Sequence, residues 1–170
     1  MTADGRVLAQ GRHRIMGPSE RSDAFEAHRW VSALEQTVPH VAAHYEIDAL
    51  VISGNGPTVV AVAASGSVLN RPLLWMDGRT RTVGDTRSFY LPKIAWFESE
   101  SSVADRVRWY LPFPEYLLYR LTGEAVAVTP SDEFSAYIWD TEEIKRYAVD
   151  PNLLPPFAPI GTIVGAVTRE

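Results

Sequence analysis

The 170-residue sequence contains no cysteine, which excludes disulfides and any metal or redox centre that depends on a thiolate. It has no long hydrophobic run either. The longest, Val59 to Ala64, is far too short to cross a bilayer as a helix. Positive charge is scarce: 16 Lys and Arg face 21 Asp and Glu, giving a net charge of −5 and no basic block. That balance argues against nucleic acid as a partner. The opening residues, Met1-Thr2-Ala3-Asp4-Gly5-Arg6, have no apolar core and do not read as a signal peptide. The expected location is the cytoplasm, with neither membrane nor nucleic acid as partner.

What is present is ordinary for a globular chain. Apolar residues make up 46% and charged residues 22%, and the length suits about one domain with a full core. Asp4-Gly5 reads as a turn and Arg6 to Arg12 as the strand leaving it. Asp23 with Glu26 resembles a helix-capping pair. Ala27, Val31, Leu34, Val38, Val41 and Tyr45 then recur at helical spacing. Pro39 is expected to split that helix into pieces over 23–37 and 39–46. Three apolar runs follow as strands, Ala49–Ser53, Thr58–Val62 and Pro72–Trp75, with the first buried on both faces. Further on, the spacing predicts helices over Pro92–Phe97, Ser102–Leu111 and Pro114 to Gly123, and an extended piece at Ala125–Val128. Phe134–Trp139 alternates like a strand, Asp140 caps a helix through Ala148, and Pro151 to Pro159 is a rigid extended tail. Strands alternating with helices define an α/β protein.

The chemistry concentrates in residues 50–79. Gly54-Asn55-Gly56-Pro57 breaks one apolar run from the next, but no helix and no lysine follow as a phosphate loop requires. The corner reads either as a hairpin turn or as a ligand-facing loop. Trp75, Asp77 and Arg79 alternate, so on an extended backbone they share one side. An indole, a carboxylate and a guanidinium together suit a polyhydroxylated ligand. The plain alternative is a buried tryptophan beside an Asp–Arg pair that closes a turn. His40 and His44 have metal-pair spacing but lack a nearby carboxylate at metalloprotease spacing, and read as solvent-facing. Lys93 and Trp96, three apart, read as a lysine stem packed on a ring. Asp132 reads as a solvated loop residue.

In order, Ile52-Ser53-Gly54-Asn55, Arg71-Pro72-Leu73-Leu74-Trp75-Met76-Asp77-Gly78-Arg79, Pro92-Lys93-Ile94-Ala95-Trp96 and Leu111 to Glu124 resemble the N-terminal domain of the FGGY carbohydrate kinases. That group holds xylulokinase, gluconokinase and glycerol kinase. The resemblance implies a ribonuclease H-like (actin-like ATPase) fold, with phosphoryl transfer from ATP, helped by Mg2+, to a sugar or polyol hydroxyl. Residues 1–159 would form the N-terminal domain, and 160–170 the start of a connection to a second domain. Carried over by position, the substrate-binding residues are Asn55, Gly56, Pro57, Trp75, Asp77 and Arg79. Gly56 and Pro57 stand where xylulokinase has Met-His and glycerol kinase Arg-Glu, and they offer no polar side chain, so hydroxyl recognition would rest on backbone groups or on other residues.

The resemblance also implies a domain truncated at its first strand, the one whose Asp-x-Gly-Thr turn touches ATP phosphates and metal. The catalytic base would lie in the second domain. A general base contributes ~10²–10⁴-fold in typical enzymes, so the chain alone is expected to be inactive and to bind no nucleotide tightly. The first strand would run between Arg6–Arg14 and Ala49–Ser53, leaving both with open edges. The expected outcomes are marginal stability, a strand of another chain (as in a homo-oligomer) filling the gap, or a start site further upstream. A non-catalytic sugar-binding or partner-binding α/β fragment is the alternative.

Overall fold

The apolar run after the glycine corner becomes the strand on which the fold is built. The computed structural model describes residues 4–54 and 56–168, and Asn55 lies outside them. In it β1 is Val59–Ala63. Val59 to Val62 are no more than 1% exposed, as suits β-branched residues on a doubly covered strand. β1 pairs antiparallel with β2, Val107–Pro112, with Val60 opposite Leu111. A reversal at 64–66 brings the chain back against β1, with bridges from Val62 to Val68 and from Val59 to Leu73. A second small sheet joins β3, Ala127–Thr129, in parallel to β4, Phe157–Pro159.

The helices are α1 (His28–Ala42), α2 (Leu91–Glu98), α3 (Ser101–Ala104), α4 (Phe113–Thr122), α5 (Asp132–Ile138) and α6 (Thr141–Tyr147). Several end where local chemistry dictates. Pro92 and Pro114 occupy first turns, where a missing N–H leaves no bond unmade. Gly123 closes α4 at φ 79°, donating its N–H to the Tyr119 carbonyl at 2.8 Å. The Asp140 carboxylate accepts the Glu143 N–H at 2.8 Å and caps α6. Buried Glu143 in turn accepts the N–H groups of Arg87 and Ser88, anchoring that loop. Glu115 is less well served. One carboxyl oxygen accepts the Val128 N–H at 3.0 Å, the other has no hydrogen-bond partner among the described residues, and burial pushes the carboxyl pKa up.

Several expectations are corrected. Ser102–Leu111, read as one helix, is helical only at its start in α3, and Val107–Pro112 form β2: Val103 and Val107 have helical spacing, but Val107, Trp109, Tyr110 and Leu111 are strand formers and find β1 as a partner. Phe134–Trp139, read as a strand, falls largely within α5, Asp132–Ile138, because the Ser131 hydroxyl caps the Phe134 N–H and Asp132 and Glu133 favour the helix start. Asp132 therefore belongs to a first turn rather than to a loop. The first helix begins at His28, not Asp23, whose carboxylate pairs with Arg21, while Glu26 pairs with Arg71. That helix also runs through Pro39 unbroken. The proline falls near its last turn, where only one helical bond is forfeited. The tail beyond Pro151 is not uniformly extended, since 151–153 form a 3-10 turn before β4.

The last correction bears most on function. Neither Arg6–Arg12 nor Ala49–Ser53 is a strand. Among the described residues no backbone–backbone hydrogen bond reaches 7–12 or 46–53. Val51, expected to be buried, is 88% exposed. Both apolar runs have strand composition, but a strand needs a ladder partner. Between them lies an open groove of ≈ 680 Å³, lined by Leu8, Ala33, Leu34, Val38, Val41 and Leu50. Its floor is the uncovered part of the apolar face of α1.

Amide hydrogen exchange checks this division. Leu50–Ile52 are expected to exchange at close to unprotected rates in a dilute monomer, while Val60–Val62 exchange only through global opening. Comparable protection of the two stretches would contradict the fold described.

Candidate functional site

Leu73 and Leu74 are buried on opposite sides of the β1 layer, and directly after them the chain turns. The Asp77 N–H donates to the Leu74 carbonyl at 2.9 Å, closing a tight reversal with Trp75 and Met76 at its tip. Trp75 is 52% exposed there. Its backbone is nonetheless fixed, because its N–H donates to the hydroxyl of buried Thr58 at 3.0 Å.

Gly56 and Pro57 lie against the same turn. The Thr58 N–H donates to the Gly56 carbonyl at 2.9 Å, a sharp bend centred on Pro57. Gly56 has φ 67°, and a Cβ there would fall 2.6 Å from Trp75 Cβ. Glycine is needed at this point for its conformation and for the close approach of the indole. Gly54 is equally constrained, since a Cβ there would meet Pro114 Cγ at 2.5 Å. The corner thus threads between Trp75 and the start of α4. A hairpin joining Ala49–Ser53 to β1 is not formed, because 49–53 is no strand.

Asp77 and Arg79 do not share an open side with Trp75. The turn at 75–76 breaks the alternation, and Asp77 is 8% exposed. Its carboxylate is held by Arg79: Oδ1 accepts the backbone N–H at 2.9 Å and Nε at 3.0 Å, and Oδ2 accepts Nη2 at 2.5 Å. The guanidinium lies over the Trp96 ring, 5.0 Å from its centroid. Burial would raise the Asp77 pKa, but the Arg79 hydrogen bonds and charge, with the Lys93 charge, outweigh it and hold the carboxylate below its ordinary value. The structure therefore combines an exposed indole with a closed Asp–Arg pair.

Sequence reasoning missed two residues of this site. Thr58 was read only as the start of a strand. Lys93 was read as a stem on Trp96, yet it is buried with its ammonium on the carbonyls of Leu74 at 2.9 Å and Asp77 at 3.0 Å. A lone lysine inside Leu91-Pro92-Lys93-Ile94-Ala95-Trp96-Phe97 was the available signal, because such a run buries whatever it carries. His40 and His44 are exposed, and α1 ends at Ala42 before His44 is reached. Among the described residues no three His, Asp or Glu side chains converge to hold a cation.

No family model matches the sequence. A xylulose kinase from Streptomyces coelicolor is 27% identical over 197 aligned positions, which take in 97% of this chain and 40% of that protein. A crystal structure of a xyloylose kinase from Brucella ovis superposes with a TM-score of 0.73 at 18% identity, covering 89% of this chain and 37% of that one. A gluconate kinase from Lactobacillus acidophilus superposes with a TM-score of 0.74 at 14% identity, covering 98% and 40%. Over the shared part the chain has the actin-like ATPase fold of these carbohydrate kinases, and it is similar in sequence to one of them. It spans about 40% of the length of the curated relative it matches.

The Asp77–Arg79 pair has a pH signature. Its folded pKa is depressed, so its stabilisation is complete above the ordinary value of 3.8 and is lost as pH falls below that through the folded value. Urea unfolding followed through this acid range is expected to show Asp77→Asn losing less stability than the unaltered chain. Parallel curves would assign the acid sensitivity elsewhere.

Proposed function

We propose that this chain is the N-terminal, sugar-binding part of an ATP-dependent carbohydrate kinase, which phosphorylates a sugar or polyol hydroxyl when complete. The observation that carries the reading is Trp75, an exposed indole on a turn held by buried polar groups. Such an aromatic gives little to stability in water, but packs well on the C–H face of a sugar ring. Gly56 and Pro57 would offer backbone groups at its edge, and Asn55 joins them in this reading by the resemblance alone. Asp77 and Arg79, already engaged with each other, would act through their remaining lone pairs and N–H groups.

Residues 1–159 would constitute the domain and 160–170 the start of the connection to a second. ATP and Mg2+ belong to the complete enzyme in this reading, which would act in the cytoplasm. The residues described do not fit a cation site, and no step through nucleotide is assigned to them. The relatives are more than twice as long as the matched portion, so we expect the isolated chain to bind ligand without turnover.

A second reading is favoured by the open groove between 7–12 and 46–53: two copies would associate there by strand addition. Protection of Leu50–Ile52 that appears only at high protein concentration would support it.

Thermal unfolding with D-xylulose and with D-gluconate tests the first reading. A rise in Tm with one of them is expected, and it should vanish in Trp75→Ala. That variant should itself lose no more than ~0.5 kcal/mol, as for an exposed position. A shift that persists in the variant, or sugar-dependent ATP consumption by the isolated chain, would overturn the corresponding part.

A further inference from the structure

Lys93 is 4% exposed, yet among the described residues it forms no salt bridge. The Asp77 carboxylate nearby is taken by Arg79. The lysine instead donates to two main-chain carbonyls that bracket the turn, Leu74 at 2.9 Å and Asp77 at 3.0 Å. Burying an ammonium is unfavourable unless it is well satisfied, and hydrogen bonds from a charged donor are the strong ones. Leu74 already accepts the Asp77 N–H, so one carbonyl serves both the turn and the lysine. On the other side, the Thr58 hydroxyl holds the Trp75 N–H. The turn is gripped from α2 and from the start of β1, and its indole is the part left open.

We propose that Lys93 is a positioning residue of the candidate site: its ammonium, by bonding the Leu74 and Asp77 carbonyls, fixes the turn that presents the Trp75 indole to ligand. The turn-fixing part stands on the hydrogen bonds alone, and only the presentation to ligand rests on the sugar-binding reading above. Replacing the ammonium should loosen this turn while leaving β1 and β2 in place. A merely structural lysine would loosen both together.

The absence of cysteine allows a direct test. Lys93→Met removes the donors at similar length. Lys93→Cys provides a unique thiol which, alkylated with 2-bromoethylamine in denaturant and refolded, forms a C–S bond with loss of bromide and regenerates a lysine-like ammonium. In nitrogen–proton spectra, the Trp75 indole resonance is identified by its loss in Trp75→Phe. We expect Lys93→Met and unmodified Lys93→Cys to shift that resonance and to speed Asp77 amide exchange by ~10-fold or more. Val60–Val62 should keep their protection, and aminoethylation should restore both signals.

Lys93→Leu, which also lacks a donor, is read the same way should the methionine variant not fold. An unmoved indole resonance with unchanged Asp77 exchange would overturn the proposal, as would equal acceleration at Val60–Val62. If the indole and Asp77 respond as expected but neither D-xylulose nor D-gluconate stabilises the unaltered chain, the sugar reading fails and the clamp stands.

Discussion

The fold depends on one strand that belongs to two cores at once. Along β1, Val59 and Ala61 join the cluster holding Phe97, Tyr110 and Trp139, whereas Val60 and Val62 join the one holding Phe25, Trp30 and Tyr116. The period-two pleat makes this division unavoidable. Neighbouring chain obeys the same rule: Leu73 and Tyr110 go to the first cluster, Leu74 and Leu111 to the second. A one-residue slip of β1 would exchange the two sets, so the register is strongly specified. The ends of these strands inherit that precision. Trp75 directly follows the Leu73-Leu74 pair, so its position is set by two cores even though its own ring is outside both.

That arrangement explains why the candidate site can be open without being loose. The ligand-facing atoms proposed here take little part in burial, and their geometry comes from groups beneath them. Thr58, Lys93 and the Asp77–Arg79 pair are buried or half-buried polar groups, and each bonds backbone or a side chain of the 74–79 segment. Gly56 adds a steric term, since the bend at Pro57 closes onto Trp75 only where no Cβ intervenes. Preorganisation of this kind lowers the entropy lost when a ligand orders the groups that touch it.

Much of this was legible in the sequence wherever a local rule was strong. Proline in a first turn, glycine at a helix end and Asp140 as a cap placed α2, α4 and α6, and the glycine corner and Trp75 were singled out before any coordinates. Failures came where two periodicities competed. Val103 and Val107 fit a helix, and only pairing with β1 makes 107–112 a strand. Phe134 and Tyr137 looked like strand residues, but a Ser131 cap and acidic first turn outweighed their composition. Lys93 escaped because its role is tertiary: nothing in its neighbours states that two carbonyls 19 and 16 residues upstream will meet it.

The Ala49–Ser53 segment shows a further limit, physical rather than statistical. Its composition is that of a strand buried on both faces, and the chain leaves it exposed beside a groove with an apolar floor. Hydrophobicity and β-branching favour extended backbone, but a ladder exists only when a second edge offers matching N–H and C=O groups. Across the groove, residues 7–12 are equally without a ladder, and no backbone hydrogen bond joins the two. Val38 and Val41 lie beneath the space between them, continuing the apolar face that Val31 and Leu34 bury in the second core. The α1 face is therefore longer than the core that covers it, and the excess coincides with the two unpaired segments. A strand accepted there would satisfy both edges and cover the excess face together, so the two features are one unmet requirement rather than two.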